Sequence, residues 1–210
     1  ASFAGNEDAV LTLGKNGRYA LWSGHAKLAS GSFSDPAKFP TEVGRLSNEA
    51  QHAVTLTKPY WIGDTEVTQE QYELVTSQNP SLEKNSSFPV VCSWFDAKDF
   101  CKALNKKHKP PAGYEWRLPT EAEWEWACRA GSNGPFCEST VGPLNHDEEL
   151  AEKHLDRYGW FAGNSGNKIH PVKQKLPNAF GLYDMHGNVW EWCLDSTQSE
   201  KAKILEQRVA

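Results

Sequence analysis

The sequence predicts an α+β domain of short elements joined by long irregular connections. Three observations carry that expectation. Helix-start signals at Thr68, Ser93 and Thr120 each precede a short apolar-faced segment, after strand-like runs nearer the N-terminus. No internal repeat or low-complexity linker divides the 210 residues. Nine tryptophans against a single methionine provide rigid rings, which suit a core whose gaps are left by loops.

In chain order, residues 9–22 read as a hairpin, because Asn16-Gly17 stands between two apolar runs. Residues 30–50, rich in Ser, Pro, Gly and charge, read as a surface loop. Residues 53–62 look like a strand that Pro59 breaks or marks as an edge. Thr68 with Gln71 forms a capping box, and its helix runs to about Thr76, before Asn79-Pro80. Ser93 caps a helix with Trp94, Ala97, Phe100, Cys101 and Leu104 on one face. Thr120 with Glu123 repeats the box for a helix that buries Trp124, Ala127 and Cys128 and that Gly131 can end. An acidic, helix-like piece covers residues 146–157, and residues 163–167 form a turn-rich loop.

Several function classes are disfavoured. The net charge of −5 leaves no basic stripe for a nucleic acid. The cluster Lys106-Lys107-His108-Lys109 reads as a helix C-terminus and solvated loop. No apolar run is long enough to cross a membrane. The five cysteines, Cys92, Cys101, Cys128, Cys137 and Cys193, form no CxxC, which excludes zinc-ribbon and thioredoxin-like readings. Cys101 and Cys128 fall on apolar helical faces and read as small core side chains. His146 and His154 are wrongly spaced for a helical metal pair, and no serine sits in a nucleophile elbow. The sequon Asn85-Ser-Ser87 matters only in a secreted protein.

One stretch stands apart: Gly181-Leu-Tyr-Asp184-Met-His-Gly187-Asn188-Val189-Trp190-Glu191-Trp192-Cys193. It reads as a tight polar loop leading into an aromatic strand. Together with Ile62-Gly-Asp-Thr-Glu-Val-Thr-Gln-Glu-Gln-Tyr72, Pro89-Val-Val-Cys-Ser-Trp94, Arg117-Leu-Pro-Thr-Glu-Ala-Glu-Trp124, Cys128-Arg-Ala-Gly131 and His170-Pro-Val172, it resembles the formylglycine-generating enzyme (sulfatase-modifying factor) family. These ordered blocks span roughly residues 26–195. The resemblance implies the irregular, loop-rich relative of the C-type lectin fold. It divides the chain into an N-terminal hairpin extension (1–25), the family domain (26–195) and a charged tail (196–210).

The resemblance also implies a bound calcium, held by the Asp184 side chain, the Gly187 and Val189 carbonyls and the Glu191 side chain. Calcium takes several oxygen ligands, and a glycine-containing turn can aim carbonyls inward. The alternative for the same residues is a tight turn in which Asp184 and Glu191 only cap backbone N–H groups. A second calcium site of some relatives is not carried over, since the loop between Tyr158 and His170 is short and lacks the aspartate.

The family's enzymes oxidise a substrate cysteine to formylglycine through two copper-binding cysteines, which follow a Gly-Gly-Ser-Trp segment. Residues 196–210 contain neither, so the expected fold lacks its C-terminal strands, no catalytic residue is assigned and copper is not expected. Cys193 matches a position beside the aromatic strand, and Cys128 one that forms a disulfide to the C-terminal end in some relatives. The expected function is a non-catalytic, calcium-stabilised binding or structural module with a protein or peptide ligand, prone to self-association at the incomplete edge. The alternative is a formylglycine-generating oxidoreductase whose copper-binding segment is lost from this chain.

Overall fold

The computed structural model describes residues 8–9, 25–28, 54–132, 136 and 148–195, with side chains described outside 8–9, 25–28 and 148–152. The structure is α+β and loop-rich. Strands β1 (Asp8–Ala9), β2 (His25–Leu28) and β3 (Tyr60–Gly63) form one sheet in the order β1-β3-β2. β1 runs parallel to β3, pairing Asp8 with Tyr60, and β2 runs antiparallel, pairing His25 with Gly63 and Leu28 with Tyr60. The central strand is shorter than residues 53–62. It begins directly after Pro59, which cannot donate to a ladder. Within it Tyr60 and Ile62 are buried and Trp61 and Gly63 are not, as the period of two requires. The expected hairpin lies mostly outside the described residues.

Helices α1 (Gln69–Thr76), α2 (Trp94–Lys107) and α3 (Glu121–Arg129) start where the sequence places them. Each N-cap is a reciprocal box: Thr68 with Gln71, Ser93 with Asp96, Thr120 with Glu123. Asp96 thus closes a box that Ser93 alone did not announce. α3 ends at Arg129; Ala130 takes a left-handed cap at φ 48°, and Gly131 follows it, also left-handed, at φ 81°. The acidic segment forms α4 (Glu148–Tyr158).

Two apolar clusters result. α1 and α2 enclose Tyr72, Val75, Cys92, Phe100, Leu104, Tyr114 and Trp116, with Tyr72 and Phe100 stacked at 5.2 Å. β3 and α3 enclose Tyr60, Ile62, Ala127 and Cys128 together with Leu182 and Met185. The loop after residue 178 therefore enters the core through Leu182 and Met185, which flank Asp184.

Residues 190–193 are not a strand, contrary to the sequence reading. Trp190 is 88 % exposed, whereas Trp192 is half-buried and its indole donates to the Cys92 carbonyl at 2.9 Å. The segment is held by such side-chain bonds rather than by a ladder.

Candidate metal centre

Asn178 organises the loop that carries the acidic residues. Its amide nitrogen donates to the Ala127 carbonyl at 2.7 Å, and its amide oxygen accepts from the Phe180 and Leu182 N–H groups at 2.9 and 3.1 Å. The Tyr183 N–H then donates to the Asp64 carbonyl at 2.8 Å, which ties the loop to the end of β3. Beyond that point the backbone turns sharply, with Asp184 at φ 59° and Asn188 at φ 64°. Asp and Asn tolerate this left-handed region better than most residues.

A second strap, residues 159–170, packs backbone to backbone against this turn. A Cβ on Gly187 would lie 2.1 Å from the Trp160 carbonyl oxygen, and one on Gly159 would lie 2.4 Å from that of His186. Both positions therefore need glycine for close approach. Asn188 fastens the contact: its N–H donates to the Trp160 carbonyl at 2.8 Å, and its amide pairs with both backbone groups of His170 at 3.0 and 3.2 Å. The Trp160 and His170 rings stack at 3.8 Å.

Three carboxyl groups, Glu66, Asp184 and Glu191, influence one another behind the turn. Asp184, 1 % exposed, accepts from the Lys173 N–H through Oδ2 at 2.8 Å, while Oδ1 is buried with no hydrogen-bond partner. Burial raises its pKa, against the pull of Lys173. Glu191 is pushed up to about 7, first by burial, with the Asp184 charge adding to it and the Trp124 indole opposing. Glu66 is 8 % exposed and both of its carboxylate oxygens are buried without partners. Burial and then the charges of Glu191 and Asp184 push its pKa well above the usual range, while its own backbone N–H and the Asn188 amide, close by but outside good hydrogen-bond geometry, pull it down. Lys173, whose ammonium pairs with Asp64, is the cation that acts on Asp184.

Asp184 and Glu191 thus lie within electrostatic reach of each other. Neither the Gly187 nor the Val189 carbonyl accepts a hydrogen bond among the described residues. No three His, Cys, Asp or Glu side chains among the described residues form a group already arranged to hold a metal ion. Fit to a hard cation accordingly rests on the donor chemistry: all-oxygen ligands, acidic charge and a buried carboxylate oxygen with no partner. Glu66 is the residue that sequence reasoning missed. It lies in one of the blocks that carried the resemblance, but nothing local marks its side chain as buried.

The cysteines sit apart from this chemistry. Cys92, Cys101, Cys128 and Cys193 are thiols. The Cys128 thiol donates to the Met185 carbonyl at 3.3 Å and stands 3.7 Å from His186 Nδ1. Burial and the Arg129 charge push His186 down to about 4, so the imidazole is neutral. Burial pushes Cys101 up to about 11 and Cys193 to about 12. Among the described residues, no helix is long and apolar enough to cross a membrane.

A family model described as "Sulfatase-modifying factor enzyme 1-like domain" matches residues 23–210. The chaperone protein LppX of Paenibacillus barcinonensis is 33% identical over 186 residues, covering 70% of this chain and 65% of its own. The mouse (Mus musculus) formylglycine-generating enzyme is 30% identical, covering 72% of this chain and 39% of its own. The inactive C-alpha-formylglycine-generating enzyme 2 of Bos taurus is 33% identical over 56% of this chain and 36% of its own. Among solved structures, PvdO from Pseudomonas aeruginosa superposes with a TM-score of 0.62 at 30% identity, covering 83% of this chain and 71% of that one. The chain therefore spans under two thirds of LppX and about two fifths of the mouse enzyme.

Proposed function

Because the chain belongs to the sulfatase-modifying factor enzyme 1-like domain family, we propose that it is a calcium-stabilised scaffold with a binding or structural role toward a protein or peptide ligand. The ligands for calcium are the Asp184 and Glu191 carboxylates and the Gly187 and Val189 carbonyls. The observation that carries this reading is Asp184 Oδ1, an acidic oxygen buried without a partner beside other carboxylates. Such an arrangement is costly unless a cation compensates it. Bound calcium would cross-link the turn to the segment that follows it.

A role other than catalysis is supported by the thiols. Cys101 and Cys128 pack as core side chains, and Cys101 carries almost no thiolate at neutral pH. A relative named as inactive also shares this region. A second reading, a formylglycine-generating oxidoreductase acting on a sulfatase cysteine, is favoured by the relative that bears the enzyme's name at 30% identity.

The test is metal content after dialysis, thermal melting with and without calcium, and incubation with copper and a cysteine-containing sulfatase peptide under oxygen. The expected result is one equivalent of calcium, with no peptide conversion. Calcium at a hundred times its dissociation constant adds about 2.7 kcal/mol. For a domain of this size that corresponds to a rise of roughly 5–10 °C in melting temperature. Copper bound at one equivalent with conversion of the peptide, and no response to calcium, would overturn the proposal.

A further inference from the structure

We propose that the cavity beside α1 binds an alkylammonium group, the side chain of a peptide lysine or one end of a free polyamine. This gives a surface and a ligand chemistry to the binding role proposed above, on which it rests, and it uses none of the calcium ligands. The cavity, about 520 Å³, lies between α1 and residues 77–86, within the roughly 300–1,000 Å³ of small-ligand sites. Gln69 builds it. This residue, 1 % exposed, donates from its side chain to the Glu83 carbonyl at 3.0 Å, and its amide oxygen accepts from the Asn79 amide and the Asn85 N–H at 2.9 and 3.1 Å. The first N–H groups of α1 close the same seam: Gln69 donates to the Phe88 carbonyl and Glu70 to that of Ser86, at 2.9 and 3.2 Å. The walls are therefore preformed, and these N–H groups are committed to the chain rather than offered to an anion.

The rim carries the chemistry. Glu70 and Glu73, both exposed, line the cavity from α1. Three positions apart on one helix, they repel each other. Among the described residues neither carboxylate has an ion-pair or hydrogen-bond partner. Lys84, which also lines the cavity, donates to the Asn79 carbonyl at 2.6 Å, so its ammonium is engaged by backbone. Two carboxylates therefore stand against one ammonium that is already in use. A ligand ammonium relieves their repulsion, and its third proton has the Gln78 amide oxygen or the Ser86 hydroxyl within the same lining. The volume is far more than a bare metal ion fills, so the charge arrives on an organic stem. No aromatic ring lines the cavity among the described residues, which removes the stacking face that a nucleobase uses.

The experiment titrates the full chain with a capped Gly-Lys-Gly tripeptide, the same peptide acetylated on the lysine, and 1,4-diaminobutane, following the backbone amide signals of residues 69–86 by NMR. Acetylation keeps the stem and removes the charge. The lysine peptide is expected to bind at least about fivefold more tightly than its acetylated form, since the charge is what the rim recognises. Glu70→Gln with Glu73→Gln in one chain is expected to abolish that difference, whereas Lys84→Gln, which removes a like charge, tightens binding. Both sets lie at exposed positions, so melting temperatures should stay within about 2 °C of the parent chain; a merely structural role would lower them and leave the preference for the charged peptide intact. Tighter binding of the peptide than of the diamine assigns the group to a protein lysine, and the reverse to a free polyamine; either supports the site. Equal affinity for the two peptides, or a preference that survives in the double variant, would overturn it. Those results leave the scaffold reading to its own test, the calcium response, in which Glu70 and Glu73 take no part.

Discussion

Replacing Gly187 by alanine tests whether the acidic turn is shaped by backbone contact with the second strap. The added Cβ would lie 2.1 Å from the Trp160 carbonyl oxygen, 2.8 Å from its carbon and 3.0 Å from the Trp160 nitrogen. Comfortable contacts between heavy atoms are nearer about 3.5 Å, so the straps must part by about 1 Å. No flexible side chain can absorb that movement, because every atom met is backbone. Overpacking of this kind costs about 1–3 kcal/mol. The Asn188 N–H bond to the same Trp160 oxygen, 2.8 Å long, is strained or lost with it, adding about 1 kcal/mol. Gly187→Ala is thus expected to lower the free energy of unfolding in urea by about 2–4 kcal/mol. Gly159→Ala acts on the same contact from the other side, through the His186 carbonyl at 2.4 Å. Once one substitution has parted the straps, the second costs less. The double variant should therefore fall short of the sum by about 1 kcal/mol or more. A Gly187→Ala chain within about 0.5 kcal/mol of the parent, or strict additivity of the pair, would show that the straps do not meet as described.

Three further outcomes follow from the same geometry. Glu123 receives both Arg117 nitrogens at 2.7 and 2.8 Å and the Thr120 N–H at 2.8 Å; burial opposes its ionisation, but these partners outweigh it and hold its pKa below the ordinary 4.5. A lowered folded value means stabilisation that is complete above the ordinary value and lost as pH falls through the folded one, so urea midpoints should fall on acidification below about pH 4.5 and Glu123→Gln should remove that part of the decline. Asn178→Ala leaves the Phe180 and Leu182 N–H groups and the Ala127 carbonyl unpaired, a loss of about 3 kcal/mol or more at roughly 1 kcal/mol for each group, read by thermal denaturation. Trp190→Ser, at a position 88 % exposed, should change stability by under about 0.5 kcal/mol, whereas Trp192→Phe loses the bond to the Cys92 carbonyl and about 1 kcal/mol with it; equal effects would contradict the placement of the two rings.

The features legible in the sequence are those decided within a few residues. Thr68, Ser93 and Thr120 cap their helices because each side chain reaches a backbone N–H three positions on. The apolar face of α2 and the buried Ala127 and Cys128 of α3 follow from helical period. Features that depend on distant partners were harder to read. β3 starts only after Pro59, which cannot donate to a ladder, so residues 54–59 are not part of the continuous strand although their composition would permit it. Residues 190–193 keep the side-chain character of a strand but have no ladder among the described residues. Asp184 and Glu191 were identifiable from the block that contains them. Glu66 was not, because its burial depends on a meeting with residues more than a hundred positions away.

The position of Glu191 is set by the bonds on its C-terminal side. The Trp192 indole donates to the Cys92 carbonyl, and the Trp94 indole donates to the Cys193 carbonyl, each at 2.9 Å. Two tryptophans thus clamp the same pair of segments from opposite ends, doing with side-chain N–H groups what a strand ladder does with backbone ones. The Leu194 N–H then donates to the Pro119 carbonyl at 2.7 Å, and Asp195 accepts from the Glu121 N–H at 2.8 Å. A carboxylate in the first turn of α3 is also favourably placed against the helix dipole. Residues 192–195 are therefore stitched to the starts of both α2 and α3, and Glu191 enters the interior from that fixed frame. Asp184 comes from the loop seated by Leu182 and Met185, and Asn178 fixes that loop to α3 through the Ala127 carbonyl. The two acidic residues are therefore positioned from different ends of α3: Asp184 from its last turn, and Glu191 from its first, through Leu194 and Asp195. Their separation depends on α3 staying intact.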